Sequence, residues 1–180
     1  MVIGANRSIG KAFVETLIKR GEKKIYASVS DVAVFRKSSS ECLDKYKGVL
    51  ELVSLDITKP EQIISAVNQA RNIDLFISNA GIANLSVLIA KNNIDFACQE
   101  IEVNYFGTLS MMRAFAPVLS ENRGGTMVNV LSVVSLTNFP VLGSYSTLKA
   151  GLYSLTHKEG AQGQNWIHRG RMYWECIGVP

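Results

Sequence analysis

Tyr145 and Lys149 stand four residues apart in a stretch that reads as helix, so both side chains emerge on one face. A free phenol titrates near ~10 and serves poorly as an acid–base group at neutral pH. An ammonium held beside it favours the phenolate and lowers that value. Such a pair could exchange a proton with a carbonyl or alcohol oxygen. The bland alternative is a surface tyrosine beside a solvated lysine, because one such spacing is common by chance.

A second stretch bears on ligand binding. Gly4-Ala5-Asn6-Arg7-Ser8-Ile9-Gly10 lies between an apolar run, Met1-Val2-Ile3, and an amphipathic one. A turn there aims the free N–H groups of the following helix at the carboxyl end of the strand. Those donors and the helix dipole favour a phosphate, and glycines let backbone approach it closely. A plain strand-to-helix turn would also explain the two glycines.

These residues need elements to position them. Ile9, Ala12, Phe13, Thr16 and Leu17 share one face of a helix expected over 9–20, which Gly21 stops. Strands are expected at 24–29, 49–55, 74–78 and 126–131. Residues 31–47 read as a short helix with loops. Pro60 opens a helix over 61–71. Long helical stretches are expected over 94–119 and from about Ser144 to Thr156 or beyond. Strands alternating with helices imply a parallel sheet covered on both faces.

Composition narrows the class of function. The chain has 180 residues, 47% hydrophobic and 19% charged, enough for one domain with a real core. Its net charge of +4 is spread along the sequence and suits a small anionic ligand. No dense basic stripe points to nucleic acid, and no apolar stretch reaches membrane-spanning length. Cys42, Cys98 and Cys176 are far apart and odd in number, and with only His157 and His168 they form no metal-ligand pattern. No metal is expected. Reduced thiols and the absence of a leader pattern fit a cytoplasmic setting.

The two stretches occur in telling company. Asp56-Ile57 follows the third strand, Asn79-Ala80-Gly81 the fourth, Asn104 lies in the long helical region, and Ser132 follows the fifth strand, thirteen residues before Tyr145. In this order and spacing the chain, from Val2 to about Thr156, resembles the short-chain dehydrogenase/reductase family, most closely its carbonyl-reductase-like branch. Gly4 and Gly10 match the outer glycines of the family's Thr-Gly-x-x-x-Gly-x-Gly element, while Ile3 replaces its Thr and Ser8 its middle Gly. Ser8 could cap the helix and donate to the ligand, or crowd it and be forced to positive φ.

The resemblance implies a Rossmann-like, doubly wound α/β fold in three layers, incomplete at its C-terminal edge. It implies a nicotinamide dinucleotide held by Gly4, Asn6, Arg7, Ser8, Ile9, Gly10, Asp56, Ile57, Asn79, Ala80, Gly81, Tyr145 and Lys149. Asp56 would hold the adenine. Arg7 favours NADP over NAD by pairing with a 2′-phosphate, whereas Asp31 could accept from a ribose hydroxyl. The catalytic residues would be Asn104, Ser132, Tyr145 and Lys149. Ser132 would hold the substrate oxygen, Tyr145 would carry the proton, Lys149 would lower the phenol's pKa, and the backbone carbonyl of Asn104 would extend a proton relay. The expected activity is reduction of a ketone or oxidation of a secondary alcohol by hydride transfer. A homo-oligomer through the long helices is also expected.

Residues 1–157 are assigned to this nucleotide-binding domain, and 158–180 to an atypical tail that breaks the strand–helix rhythm. A sixth strand and the family's later substrate loop are not expected in that tail, which reads as an altered or truncated end. An alternative function follows: an impaired family member that binds nucleotide or a partner chain without turnover. A sugar-nucleotide epimerase would share the Tyr–Lys pair. The Gly4/Gly10 spacing, the Asn79-Ala80-Gly81 segment and the short chain speak against it.

Overall fold

A computed structural model describes the chain apart from residues 39, 85–93, 123, 138, 140–141, 163–170 and 178–180, and gives backbone alone at 38, 40–42, 158–162 and 171–177. The order is β1 (Val2–Ile3), α1 (Ser8–Lys19), β2 (Ile25–Val29), α2 (Val32–Ser38), α3 (Ser40–Lys45), β3 (Leu50–Ser54), α4 (Pro60–Gln69) and β4 (Leu75–Ser78). Then come α5 (Ile94–Glu100), a π-helical segment (Ile101–Gly107), α6 (Thr108–Glu121), β5 (Thr126–Ser132), a 3₁₀ turn (Val133–Ser135), α7 (Gly143–Gln162) and β6 (Arg171–Ile177).

All six strands run parallel in the order β3-β2-β1-β4-β5-β6. The chain winds outward from β1 to β3, then returns to lay β4 on the other side of β1. That reversal leaves a crevice at the carboxyl ends of β1 and β4.

The strands are apolar on both faces because both faces are covered. Val2, Ile25, Ala27, Ile77 and Val130 pack on one side with Val14 of α1. Ile3, Tyr26, Val53, Phe76 and Met127 point the other way, toward Ile63 and Ala66 of α4 and Met111 and Phe115 of α6. Adjacent residues of one strand, Val2 and Ile3 or Phe76 and Ile77, thus serve opposite layers. The doubly wound sheet expected from the alternating rhythm is present.

Two features differ from the sequence-based expectation. The stretch 94–119, expected as one helical region, contains a π-helical segment at Ile101–Gly107. There a β-carbon on Gly107 would lie 2.8 Å from Cγ1 of Ile57, so glycine lets the segment close on the end of β3. A sixth strand, not expected, runs at Arg171–Ile177 and pairs with β5 from Thr126 to Ser132. The edge of β5 is therefore covered, and α7 continues past 157 to Gln162. No helix among the described residues is long and apolar enough to cross a membrane.

Phe76 and Phe115 stack at 5.0 Å between ring centroids, and both are fully buried. Phe115→Ala should cost about 3–5 kcal/mol, read as a lower urea midpoint with an unchanged denaturant slope.

Candidate active site

The turn after β1 is built by close approach. A β-carbon on Gly10 would sit 2.0 Å from the Gly4 carbonyl oxygen and 2.6 Å from Nδ2 of Asn79. A β-carbon on Gly4, whose φ is +71°, would sit 2.9 Å from Cα of Ala80. Only glycines let α1 begin directly above the strand end. Asn79 Nδ2 donates to the carbonyls of Gly4 (3.1 Å) and Ile3 (3.3 Å), fixing the turn to β4. The Gly4 N–H donates to Ser28 Oγ at 3.0 Å, and the Ala5 N–H to the Ser28 carbonyl at 2.8 Å.

A groove of about 370 Å³ opens above this turn. Gly4, Asn6, Arg7, Ser8 and Ile9 line it from β1 and α1, Asp56 and Ile57 from the end of β3, and Asn79, Ala80 and Gly81 from the end of β4. Ten of the expected nucleotide-holding residues thus share one groove. Gly10 stands behind it, supporting the turn. Tyr145 and Lys149 are not in its wall. Ser28, Ser30, Ile82 and Val103 line it too, and sequence reasoning missed them. Ser28 was findable as a polar residue between Ala27 and Val29 in a buried strand.

Ser8 takes the second of the two readings left open by sequence. It has φ +46°, the one non-glycine with positive φ among the described residues. The left-handed conformation is held although the residue has a β-carbon, at a cost of roughly 1–2 kcal/mol. Asp56 Oδ1 accepts from the Thr58 N–H (2.9 Å) and hydroxyl (2.7 Å), which hold its carboxyl below the ordinary range. Asp31, a candidate ribose partner, instead accepts from the Val34 N–H at 2.9 Å and caps α2.

The expected catalytic residues lie beside the groove, at the carboxyl ends of β4 and β5. Lys149 is 6% exposed and donates from Nζ to the Val130 carbonyl at 2.9 Å. Its ammonium lies 5.6 Å from the centre of the Tyr145 ring. Burial lowers the lysine's pKa to about 8. Ser132, two residues beyond Val130, is 2% exposed. Its hydroxyl accepts from the Val134 N–H at 3.4 Å, and its own N–H donates to Ser135 Oγ at 3.4 Å, a reciprocal cap of the 3₁₀ turn. Ser135 therefore supports Ser132.

The expected lowering of the Tyr145 phenol is reversed. Burial, with the carboxylate of Glu100 behind it, pushes the phenol up. The ammonium is turned to the Val130 carbonyl. The side chain of Asn104 acts as a clamp. Its Oδ1 accepts from the Ile82 N–H and its Nδ2 donates to the Ile82 carbonyl, both at 2.7 Å. A β-carbon on Gly81 would meet that Oδ1 at 2.8 Å. Among the described residues no cluster of His, Cys, Asp and Glu could hold a metal.

A parallel sheet wound 3-2-1-4-5-6, with a glycine turn over its switch point and a phenol–ammonium pair at its rim, defines a nucleotide-binding α/β protein. The chain belongs to the short chain dehydrogenase family, whose model matches residues 1–166. The 3-oxoacyl-[acyl-carrier-protein] reductase FabG of Aquifex aeolicus is 29% identical over 160 residues, which is 87% of this chain and 64% of that protein. The chain thus spans less than two thirds of that relative. A short chain dehydrogenase from Burkholderia cenocepacia, solved in complex with NADP, is 35% identical, with a TM-score of 0.84 over 98% of this chain and 72% of that one. A 3-oxoacyl-[acyl-carrier protein] reductase from Brucella melitensis with bound NAD shares the fold at 22% identity and a TM-score of 0.84, over 98% and 69%.

Two outcomes follow from this geometry. Ser8→Gly relieves the left-handed strain but frees the unfolded chain, so a net gain of about 0.5–1 kcal/mol in urea unfolding is expected. Lys149 has a folded pKa of about 8, below its unfolded value of 10.5, so the unfolded chain binds more protons between these limits. Its burial therefore costs roughly 3 kcal/mol below pH 8, a cost that fades as pH rises toward 10. Lys149→Met should accordingly be the more stable chain at pH 7, and its advantage should shrink between pH 8 and 10 in chemical unfolding.

Proposed function

We propose that this chain is an NAD(P)-dependent oxidoreductase that reduces a ketone or other carbonyl, or oxidises a secondary alcohol, with Tyr145 as the proton-exchanging group. The observation that carries this reading is the groove at the switch point, where a turn closed tightly on Gly4 and Gly10 and ten of the expected nucleotide-holding residues lie together.

The residues fit a dinucleotide. The cradle between Gly4, Gly10 and Ala80 has no room for a β-carbon, and the start of α1 lines the groove, where a helix N-terminus favours a phosphate. Gly4, Asn6, Ser8 and Ile9 would hold the pyrophosphate, Asp56 and Ile57 the adenine side, and Asn79, Ala80 and Gly81 the path to the nicotinamide. The cofactor, when bound, supplies the hydride. Arg7 and Ser30 line the groove while the Asp31 carboxylate is committed to α2, which supports NADP over NAD.

The protein's part is proton transfer and orientation. A phenol pushed up by burial and a nearby carboxylate keeps its proton at neutral pH. Tyr145 is then a proton donor, suited to the carbonyl-reducing direction. Alcohol oxidation, which needs it as acceptor, should rise with pH. Lys149 keeps most of its charge at pH 7 and would steady the nicotinamide ribose. Ser132 would orient the substrate oxygen once its hydroxyl turns from the Val134 N–H. Asn104 holds the groove wall at Ile82.

A second reading is favoured by the burial of Ser132 and its commitment to a cap: nucleotide binding without turnover. A homo-oligomer belongs to the proposal, since Ile94, Phe96, Ile101 and Phe106 are exposed along 94–106. The small-molecule substrate would be a carbonyl compound, with 3-oxoacyl thioesters among those to try, given the FabG relative.

Calorimetry with NADPH and NADH, followed by a carbonyl panel, tests these readings. NADPH should bind more tightly, and Arg7→Ala should erase that preference. Turnover should fall about 10²-fold or more in Tyr145→Phe. Binding without turnover on any carbonyl would favour the second reading, and full activity in Tyr145→Phe would refute the assigned role.

A further inference from the structure

Glu100 is fully buried at the end of α5, and among the described residues no cation pairs with it. A buried carboxylate is costly unless its oxygens find donors. Here one oxygen accepts from the backbone N–H of Asn84, and the other from the hydroxyl of Ser144. Asn84 follows Ile82 in the segment that Asn104 clamps, and Asn104 lies one turn beyond Glu100. Ser144 immediately precedes Tyr145 in the first turn of α7.

We propose that Glu100 is a positioning residue whose carboxylate fastens the first turn of the Tyr145 helix to residues 82–84, the segment that continues the nucleotide groove's wall. This rests on the reading of Tyr145 as the proton-transfer group. The fold could tie the segment to the helix with a neutral side chain. A charge at this point also acts on the phenol, opposing its ionisation. The other charged groups on elements packed against α7 are few. Asp95 on α5 and Glu102 on the π-helical segment are exposed, Lys149 is one turn further along α7, and β5 and the 3₁₀ turn carry none. Arg171 and Glu175 of β6 have side chains outside the described residues. Glu100 is thus both a strut and an electrostatic brake.

Titration of ¹³Cζ-labelled tyrosine by NMR tests this without turnover, with Tyr145 assigned by its loss in Tyr145→Phe. Glu100→Gln can still accept from Asn84 and donate to Ser144, but it lacks the charge. The Tyr145 midpoint should move down in Glu100→Gln and should not move down in Ser144→Ala, which keeps the charge. In Ser144→Ala, hydrogen exchange at the amides of 147–149 should quicken about tenfold as the strut is cut. An unmoved midpoint in folded Glu100→Gln overturns the proposal. So does unchanged exchange in Ser144→Ala, which keeps the test open if Glu100→Gln does not fold. Neither readout depends on the chain reducing any carbonyl, so a failed activity assay and a failed strut give different results.

Discussion

Helix α1 begins so near the end of β1 that no β-carbon fits between Gly10 and the carbonyl of Gly4. The rest of the site depends on that approach. It directs the first N–H groups of the helix over the switch point, where order β2-β1-β4 leaves the sheet open at its carboxyl edge. The turn is held in place from both sides, by Ser28 on β2 and Asn79 after β4. Neighbouring strands thus grip one loop, and the groove's floor is as rigid as the sheet. Ser8 at positive φ shows how firmly this geometry is imposed: a residue with a β-carbon is held in a conformation that favours glycine.

On the other side of β4 the organising problem is burial of charge. Lys149 and Glu100 are each taken out of water, yet they do not pair. Each is satisfied by neutral groups: a strand carbonyl for the lysine, a backbone N–H and a hydroxyl for the glutamate. Tyr145 stands between these influences. Desolvation favours its neutral form, and so does the carboxylate. The ammonium, drawn to the Val130 carbonyl, does not offset them. An arrangement of this kind keeps the proton on the phenol at neutral pH.

Much of the fold was legible from local pattern. Continuous apolar runs such as Leu75-Phe76-Ile77 can be buried on both faces only in a covered parallel sheet, and the helices between them follow from spacing alone. The Tyr145–Lys149 spacing was legible for the same reason. Its chemistry was not, because the direction of a pKa shift depends on which way a lysine turns and what lies behind the phenol. Glu100 gave no signal: it stands among polar and charged neighbours in Gln99-Glu100-Ile101-Glu102, and its burial comes from the distant approach of 82–84 and Ser144. Strand β6 was missed because residues 158–170 lack the helical period that announces a crossover, so nothing marked 171–177 as the next strand.

These two features, a braced floor and two separately satisfied buried charges, are joined by residues 79–84. Asn79 holds the glycine turn, Asn104 holds Ile82, and Glu100 holds Asn84, so one short segment after β4 is tied to the groove floor, to the π-helical segment and, through Glu100, to the foot of α7. Ala80 and Gly81, which line the groove, lead directly into the residues that Glu100 links to Ser144 at the start of the Tyr145 helix. The π-helical geometry at Ile101–Gly107 fits the same demand. A wider turn there lets Asn104 face Ile82 while Gly107 stays against Ile57. The groove and the helix of Tyr145 are therefore parts of one hydrogen-bonded frame.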